Sequence, residues 1–387
     1  MRKRWVFVVV AAVLLIGCVG GFWFALGRVN FRPSVGEGGV ASLVVPPGFE
    51  AEVFVEGLNG PRFIAFGPDG VLYAADRGNG RIVALPDEDG DGTADEIQEF
   101  ATGLDRPHSL VFHEGAWYIG VQSGVIRLID EDGDGTADDR VQVVNLPFDG
   151  SHTTKTVEFL PDGRMVVSVG STCNVCEEED PRRAAVVVYE NGDGAGEAIF
   201  AGGLRNAVGL AVHPETGELW ATNNGRDLMG DDVPPENVYI VREGLDYGWP
   251  RCHSGHIADP GFPASTACNG VEQPVVEMQA HSAPLGLVFY TGQDAENPFP
   301  EEYWGDLFIA FHGSWNRSVP TGYKIVRLPL NGRSQGGAVT DFAVGWLDDA
   351  TQEASGRPVG LAVGPDGALY VSDDKGGFVY RIYYAGE

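Results

Sequence analysis

The sequence FIAFGPDGVLYAADRGNGRIVAL, residues 63–85, decides the fold, because VGLAVGPDGALYVSDDKGGFVYRI at residues 359–382 repeats its plan. Each copy reads as an apolar strand, a Pro-Asp-Gly turn, a second strand, a short loop and a third strand. Four further copies of this plan turn near Gly115, Gly163, Gly217 and Gly305. Recurrence of this kind is typical of repeat architectures, and here it predicts six units.

A fourth strand follows each of the first five units. These strands are predicted at residues 96–104, 140–148, 196–204, 271–280 and 339–347. The sixth unit has none, whereas an unpartnered strand of the same character, AEVFVEGL at 51–58, precedes the first unit. If that strand completes the last blade, the ring closes and no strand edge stays open. The predicted fold is therefore all-β, a six-bladed β-propeller of four-stranded blades closed by an N-terminal strand; a β-sandwich would leave the unpartnered strand unexplained.

Composition fits this fold and excludes other classes. Of 387 residues 55 are glycine, about twice the usual share, yet a hydrophobic fraction of 43% argues against disorder and collagen. The 55 acidic side chains outnumber the 26 basic ones and give a formal charge of −29. Because contact with phosphates needs clustered Lys and Arg, we expect no nucleic-acid partner.

The N-terminus predicts export. Basic residues at positions 2–4 precede an uncharged stretch, residues 5–27, which as a helix is long enough to cross a bilayer. The same stretch contains LIGC at 15–18, which resembles a bacterial lipobox. An uncleaved anchor and a signal cut before a lipidated Cys18 therefore both stay open.

Three segments follow from this interpretation. We expect residues 1–32 to be the signal or membrane anchor, 33–46 a linker, and 47–387 the six-bladed propeller catalytic domain. That domain would lie outside the cytoplasm, in the periplasm or at the cell surface, with membrane contact through the N-terminal segment only. Without residues 1–32 the chain has 21 basic against 55 acidic side chains, a formal charge of −34, which favours solubility and specifies no partner.

The other four cysteines predict two disulfides. An exported domain folds in an oxidising compartment, where an even number of cysteines usually pairs. Joining Cys173 to Cys176 and Cys252 to Cys268 is the simplest pairing. A CxxC sequence can also indicate redox catalysis or half of a zinc site, but no thioredoxin-like pattern surrounds it and the second pair is not CxxC.

Topology places two sets of loops on one face of the ring. Because antiparallel strands alternate in direction, the segments leading into each innermost strand share a face with the loops between second and third strands. The leading segments carry a shared set of cationic and polar residues: Arg62, Arg106, His108, His152, Lys155, Arg205, Asn206, His281 and Arg357. In so acidic a chain this set suits a small ligand with several carboxylates. For any single member, an ion pair with a neighbouring Asp or Glu is the better explanation.

Several runs on this face together resemble a known family. They are GSH (150–152) with FLPDG (159–163), GLRN (203–206) with GLA (209–211), GRD (225–227) with GDD (230–232), and HGSWNR (312–317). From about Pro47 to the C-terminus, this combination resembles the sorbosone dehydrogenase branch of the soluble glucose dehydrogenase family, six-bladed propellers that use pyrroloquinoline quinone (PQQ) and calcium. The resemblance implies a quinoprotein oxidoreductase that oxidises an aldose or related aldehyde and passes electrons to an external acceptor.

The resemblance also implies roles for individual residues. His152 matches the general base that takes the hydroxyl proton of the substrate, a task suited to imidazole because its pKa lies near working pH. Arg205 matches the residue that polarises the quinone oxygens, where charge develops. Backbone carbonyls near Asp227 and Leu228 would hold the calcium ion, which prefers oxygen ligands. The residues expected to bind the cofactor are Arg106, Asn206, His281, Arg317 and Arg357.

Three departures from the family leave the substrate open. Where glucose-oxidising members carry a second arginine two places after the first, this chain has Val359. Ser151 rather than Asp precedes the base, and the calcium loop lacks a Gly-Pro pair. An aldehyde or a smaller sugar therefore fits as well as glucose.

Two acidic loops are predicted on the opposite face. The sequence DEDGDGTAD occurs at 87–95 and again at 130–138. Alternating carboxylates and turn-permitting glycines give the spacing of a calcium loop, although the EF-hand Glu at position 12 is missing; an acidic turn of no particular affinity is the alternative. We expect calcium in a stabilising role, with ligands drawn from Asp87, Asp89, Asp91 and Asp95 and from Asp130, Asp132, Asp134 and Asp138.

Two other functions share the predicted fold. A metal-dependent hydrolase such as a lactonase would need several carboxylate or amide ligands converging on the channel, but the leading segments supply mainly Arg and His. A non-catalytic binding propeller would not require His152 and Arg205 together. The fold alone does not separate these functions.

Overall fold

Six sheets of four antiparallel strands make up the protein, for which the computed structural model describes residues 43–332 and 334–386. Blade 1 consists of Pro61–Phe66, Leu72–Asp76, Arg81–Leu85 and Gln98–Ala101. Blade 2 consists of Ser109–His113, Ala116–Val121, Gly124–Ile129 and Asp139–Asn145. Blade 3 consists of Lys155–Phe159, Met165–Val169, Ala185–Tyr189 and Ala198–Gly202. Blades 4 and 5 consist of Leu210–Val212, Leu219–Asn223, Glu236–Val241 and Val276–Met278; and Pro284–Phe289, Leu307–Phe311, Lys324–Leu328 and Thr340–Ala343. The five fourth strands lie where they were predicted but are shorter.

Blade 6 closes the ring as predicted. Its first three strands are Pro358–Val363, Leu369–Asp373 and Phe378–Tyr384, and its fourth is the N-terminal strand Phe49–Val55. In this pairing Phe49 lies opposite Tyr384. The innermost strands of successive blades contact one another from blade 1 to blade 6 and back to blade 1. The predicted six-bladed propeller is confirmed.

Apolar layers between neighbouring blades hold the sheets together. The second strands, such as Leu72–Asp76 and Leu307–Phe311, are buried at every position because each sheet packs on both sides. Between blades 5 and 6 the core is aromatic, and the ring of Phe49 meets those of Phe299 and Phe342 edge to face. Burial of this kind is the main stabilising contribution to the fold.

Neighbouring blades approach one another near the channel too closely for side chains at several points. A Cβ atom on Gly120 would lie 2.2 Å from the carbonyl oxygen of Lys155, and one on Gly209 would lie 2.2 Å from that of Leu285. The hydroxyl of Ser109 donates across the same gap to the Lys155 carbonyl at 3.0 Å. These contacts fix the spacing of the blades, and therefore of the loops at the end of the channel.

The remaining elements are small. Short hairpins pair Cys252–His253 with Ile257–Ala258, Leu330–Asn331 with Ser334–Gln335, and Leu347–Asp348 with Glu353–Ala354; the two 3-10 helices are Gly292–Asp294 and Glu301–Tyr303. Disulfides join Cys173 to Cys176 and Cys252 to Cys268, so the predicted pairing is confirmed.

The membrane anchor predicted at residues 1–32 lies outside the described residues, as does most of the linker predicted at 33–46. The part of that linker which is described packs on the ring, with Val44 bridging to Val344. In the described ranges, no helix combines the length and the apolar character that crossing a membrane requires.

Candidate active site

A cavity of about 760 Å³ opens at one end of the central channel. Its wall is built from the segments that lead into the innermost strands and from the loops between second and third strands, so the two sets of loops meet on one face as the topology predicted. The residues singled out from the sequence that line this cavity are Arg62, Arg106, His152, Arg205, Asn206, Asp227, His281 and Arg357.

His152 is oriented by one neighbour. Its Nδ1 lies 3.0 Å from the carbonyl oxygen and 2.9 Å from the hydroxyl oxygen of Ser171. The Ser171 hydroxyl donates its own hydrogen to the Cys173 carbonyl at 2.7 Å, so both Ser171 oxygens face Nδ1 as acceptors. Nδ1 therefore carries the imidazole hydrogen, and Nε2 keeps its lone pair.

The electrostatic surroundings keep the His152 ring neutral. Burial, followed by the positive charge of Arg205, lowers the pKa of His152 to about 4. A neutral imidazole with a free lone pair is the form of histidine that accepts a proton.

Arg205 is buried and held on three sides. Its Nε donates to the Asn174 carbonyl at 3.0 Å, and its Nη2 donates to Asn174 Oδ1 at 3.0 Å and to the Asp227 carboxylate at 2.7 Å. Its Nη1 donates to the Asn224 carbonyl at 3.3 Å. Only 3% of the residue is exposed. Such a rigid guanidinium presents a fixed positive charge to the cavity.

Side-chain oxygens that could hold a cation lie beside Arg205. Asp227 lines the cavity, whereas Leu228 is 61% exposed and does not line it; the prediction that backbone carbonyls near these two residues hold calcium stays a prediction. Two residues that the sequence analysis missed, Glu236 and Asn316, complete the group. Burial raises the pKa of Glu236 to about 7, and Asn316 Oδ1 is buried without a hydrogen-bond partner among the described residues.

Both missed residues belong to long polar segments on this face, at 223–236 between the second and third strands of blade 4 and at 311–322 between those of blade 5. Glu236 begins the third strand of blade 4, directly after the loop that carries Asp227, and its carboxylate accepts a hydrogen bond from the Gly225 amide at 2.7 Å. Asn316 follows Trp315, and its Nδ2 donates to the Asp227 carboxylate at 3.0 Å. Length and polarity of these loops were the signals available, but they did not single out either residue.

Of the predicted cofactor-binding residues, Arg317 does not line the cavity. Its guanidinium donates to the Asp231 carbonyl, to the Asp232 carboxylate at 3.2 Å and to the Ala280 carbonyl at 3.3 Å. Asp231 and Asp232, in the loop between the second and third strands of blade 4, thus hold this cation away from the cavity. Arg357, by contrast, lines the cavity and donates to the backbone carbonyls of the blade 5 loop.

Two further predicted cofactor contacts, His281 and Asn206, lie in the wall. His281 Nε2 donates to the Gly230 carbonyl at 2.9 Å, and its Nδ1 lies 3.3 Å from Asn316 Nδ2. Asn206 receives a hydrogen bond at its carbonyl from the Asn224 amide at 3.0 Å. Both residues therefore help to hold the blade 4 loop in place.

Two arginines of the cavity wall have no ion-pair partner within the described residues. Arg62 pairs with Asp374, which also accepts from His312 at 2.9 Å. Arg77 and Arg106 line the cavity but form no side-chain hydrogen bond or ion pair with any residue in 43–332 or 334–386. Burial, then the charges of Arg62 and Arg106, lower the pKa of Arg77 to about 10. Ion pairing thus explains Arg62 and Arg205, but it does not explain Arg77 or Arg106.

The two acidic loops lie on the opposite face, beside the Pro-Asp-Gly turns. Carboxylate oxygens of Asp87, Asp89 and Asp91 come within 4.8 Å of one another, and so do those of Asp130, Asp132 and Asp138. Asp95 and Asp134 are not part of these two groups, although, like the grouped aspartates, they accept backbone amides of their own loops.

Each acidic loop is hydrogen-bonded to the blade before it. The Ala94 amide donates to the Phe54 carbonyl of blade 6 at 2.8 Å, and the Ala137 amide donates to the Phe100 carbonyl of blade 1 at 2.9 Å. An ion bound in either loop would stiffen a contact between blades. The calcium assignment stays a prediction.

We expect calcium to raise the melting temperature of the protein, and the double substitution Asp89→Ala and Asp132→Ala to remove most of that rise. A site saturated a hundredfold contributes about 2.7 kcal/mol, which corresponds to a shift of several degrees. Thermal unfolding with calcium and with chelator measures it. Asp193→Ala, in the equivalent loop of blade 3, is the control. An equal rise in the double variant and the unmodified protein would contradict the assignment.

Comparisons with known proteins agree with this architecture. A family model described as TrAA12-like matches residues 43–255 and 257–385. An uncharacterized protein of Borreliella burgdorferi is 31% identical over 360 residues, covering 89% of this chain and 91% of its own. A pyrroloquinoline quinone-dependent pyranose dehydrogenase of Coprinopsis cinerea is 26% identical over 406 residues, covering 87% of this chain and 54% of that protein. The chain thus spans about half the length of that relative.

Solved structures show the same fold. A carbohydrate-active enzyme of family AA12 from Trichoderma reesei has a TM-score of 0.77 at 22% identity, covering 90% of this chain and 100% of the other. The PQQ domain of the Coprinopsis cinerea pyranose dehydrogenase has a TM-score of 0.76 at 23% identity, covering 91% and 99%. Because the family model matches nearly all of the described chain, the protein belongs to the TrAA12-like family.

Proposed function

We propose that this protein is a PQQ-dependent dehydrogenase that oxidises an aldose or related aldehyde and passes the electrons to an external acceptor. The observation that carries the proposal is the cavity that His152 and Arg205 share with Arg77 and Arg106. In it the His152 ring is neutral, Arg205 is held by hydrogen bonds, and the other two arginines form no ion pair within the described residues. The names of the relatives support the sugar and the quinone. Within this class, the sorbosone dehydrogenase branch stays our prediction from the sequence.

The charges in the cavity fit a cofactor with three carboxylates. Arg357, which the sequence resemblance matches to a carboxylate-binding arginine, lines the cavity, and Arg77 and Arg106 add positive charges that form no ion pair within the described residues. Val359 is fully buried against Val208 and Leu285 at the channel, so no second cation comes from that position. We propose that Arg77 and Arg106 compensate for it.

The oxygen ligands beside Arg205 fit calcium. The carboxylates of Asp227 and Glu236 line the cavity together with Asn316, whose Oδ1 has no partner among the residues described. Carboxylate and amide oxygens are the ligands that calcium prefers. We propose that these three side chains, with a backbone carbonyl of the same loop, hold the ion.

The residues of the chain then divide the work of a two-electron oxidation. The cofactor, when bound, would supply the acceptor for the hydride that leaves the substrate carbon. His152 Nε2 would take the hydroxyl proton of the substrate, while the Nδ1 hydrogen stays on Nδ1 and is donated to the Ser171 carbonyl, which keeps the ring in position. Arg205 supplies positive charge where negative charge develops, and its contacts with Asn174 and Asp227 hold it there without reorganisation.

A metal-dependent hydrolase is the second candidate. The carboxylates that line the cavity are Asp227, Glu236 and Asp374, and two of them are engaged by arginines, Asp227 by Arg205 and Asp374 by Arg62. The side chains that we propose for calcium could also hold a hydrolytic metal, so the ligands alone do not separate the two functions. The cavity is lined by more arginines than carboxylates, and this excess of positive charge favours a polycarboxylate cofactor, and so the dehydrogenase.

Reconstitution tests the proposal. The purified protein without cofactor is mixed with PQQ and calcium, and binding is followed by absorbance, then dye reduction is assayed with a panel of sugars and aldehydes. We expect calcium-dependent binding and dye reduction with at least one sugar. Absence of PQQ binding would contradict the proposal that the protein is a dehydrogenase. Lactone hydrolysis with calcium alone would favour the metal-dependent hydrolase.

We also propose that the protein works outside the cytoplasm, tethered by its N-terminal segment. Its two disulfides support an oxidising compartment. Cell fractionation would test this proposal, and recovery of the protein with reduced cysteines from the cytoplasm would contradict it.

A further inference from the structure

The loop between the second and third strands of blade 3 lies against both proposed catalytic residues. It contains the Cys173–Cys176 disulfide, with Asn174 inside the ring that the disulfide closes. We propose that this disulfide loop aligns the base with the arginine, and that Asn174 is a positioning residue for Arg205. The catalytic meaning of this alignment rests on the proposed function, but the alignment itself does not.

One side of the loop holds His152. The hydroxyl of Ser171 donates to the Cys173 carbonyl at 2.7 Å, which leaves the Ser171 oxygens free to accept from His152 Nδ1. The backbone continues the contact, because the Ser151 amide donates to the Thr172 carbonyl at 2.8 Å. The orientation of the imidazole therefore depends on where Cys173 places its carbonyl.

The other side of the loop holds Arg205. Asn174 accepts from Arg205 twice, at its carbonyl and at Oδ1, both at 3.0 Å. The same Oδ1 accepts from the Asp227 amide at 2.8 Å, and Nδ2 donates to the Asp227 carbonyl at 3.0 Å. The Trp249 indole donates to the Asn174 carbonyl at 3.2 Å. One side chain thus fixes both members of the Arg205–Asp227 ion pair.

The disulfide explains how this loop can hold both His152 and Arg205 in place. Residues 173–179 belong to no strand and form no backbone–backbone hydrogen bond with the described residues, so the sheet does not fix them. A covalent bond between Cys173 and Cys176 restricts the residues it encloses, including Asn174. Rigid support behind the groups that touch the substrate is what accurate catalysis requires.

The second disulfide gives a contrast within the chain. Cys252–Cys268 closes a hairpin of blade 4, and no hydrogen bond runs from either cysteine to His152 or Arg205 in the described residues. If disulfides served stability alone, removing either of them would have the same consequences. The proposal predicts that they differ.

The first experiment compares Cys173→Ser with Cys176→Ser against Cys252→Ser with Cys268→Ser. Histidine-selective nitrogen NMR on the protein without cofactor reports which ring nitrogen of His152 carries the hydrogen. We expect a single Nδ1-protonated tautomer in the unmodified protein and in the blade 4 variant, and a mixture of tautomers in the blade 3 variant. An unchanged tautomer in the blade 3 variant, with only its melting temperature lowered, would overturn the proposal.

The second experiment measures turnover of the reconstituted enzyme. Asn174→Ala removes three side-chain hydrogen bonds, one with Arg205 and two with the backbone of Asp227. It should lower kcat by about ten-fold, the loss that three hydrogen bonds at the lower end of their usual net contribution correspond to, with KM nearly constant. Asn174→Asp keeps the Oδ1 acceptors and should recover part of that loss. Glu177→Ala, an exposed residue of the same loop, is the control and should match the unmodified enzyme.

The outcomes separate this inference from the proposed function. Equal kcat in Asn174→Ala and Glu177→Ala would overturn the positioning role. If no variant turns over any sugar while the His152 tautomers behave as expected, the dehydrogenase assignment fails and the alignment by the disulfide loop stands.

Discussion

Replacement of His152 by alanine is expected to lower kcat by a factor of about 10²–10⁴, the usual contribution of a positioned general base. PQQ binding should be retained, because the expected ion pairs to the cofactor come from arginines on other blades. Steady-state kinetics and absorbance titration measure the two effects. His256→Ala, an exposed histidine away from the cavity, is the matched control. Full turnover by the His152 variant would exclude this residue as the base.

The same residue sets an expected pH dependence. Burial and the charge of Arg205 lower the pKa of His152 to about 4. The neutral form that accepts a proton therefore persists below the ordinary histidine pKa, and kcat/KM should fall only near pH 4 rather than near about 6.5. If kcat/KM of the Arg205→Gln variant falls at the same acidic pH as that of the unmodified enzyme, the charge of Arg205 does not lower the pKa of His152 as we expect.

Replacement of Arg205 by glutamine is expected to lower kcat by about 10²–10³, as removal of one preorganised charge-stabilising donor does. The substitution also leaves the Asp227 carboxylate without its partner at 2.7 Å. Because the pair is largely buried, we expect stability to fall by up to about 3–5 kcal/mol.

Two variants separate these two effects. Arg205→Gln combined with Asp227→Asn removes both charges and should restore stability without restoring turnover. Arg205→Lys keeps the charge but lacks the planar fork that engages Asn174 and Asp227 together, so it should also turn over slowly. Kinetics and thermal unfolding check these expectations. Recovery of kcat in the double variant would show that Arg205 acts only on stability.

The fold could be predicted from the repeat in the sequence, because a repeat is visible in the local pattern of strands and turns. Strand, turn and strand recur along the chain, and the unpartnered strand at 51–58 has one vacancy to fill; the structure places it there as Phe49–Val55. Strand direction alone then predicted that His152, Arg205 and Arg357 meet at one mouth. All three conclusions need only order and alternation.

The rest depends on contacts between loops of different blades. Arg317 turns to Asp231 and Asp232 on the neighbouring loop, which no spacing in the sequence indicates. Glu236 and Asn316 reach the cavity from two blades, and Asn174 becomes important only because Arg205 and Asp227 fold against it. Such choices among nearby partners are made by tertiary packing, so residue type and position could not reveal them.

The strand that closes the ring also delays its completion. Glu50 meets Tyr383 across 333 residues of sequence, so the last blade cannot assemble until synthesis has passed the strand Phe378–Tyr384. Until then the N-terminal strand and the edge of blade 6 both lack partners, the condition under which β-proteins fold slowly and aggregate. Deletion of the strand Phe378–Tyr384 would therefore leave the strand Phe49–Val55 without a partner. We expect such a deletion to lower the yield of folded protein as a whole, and not only to disturb blade 6.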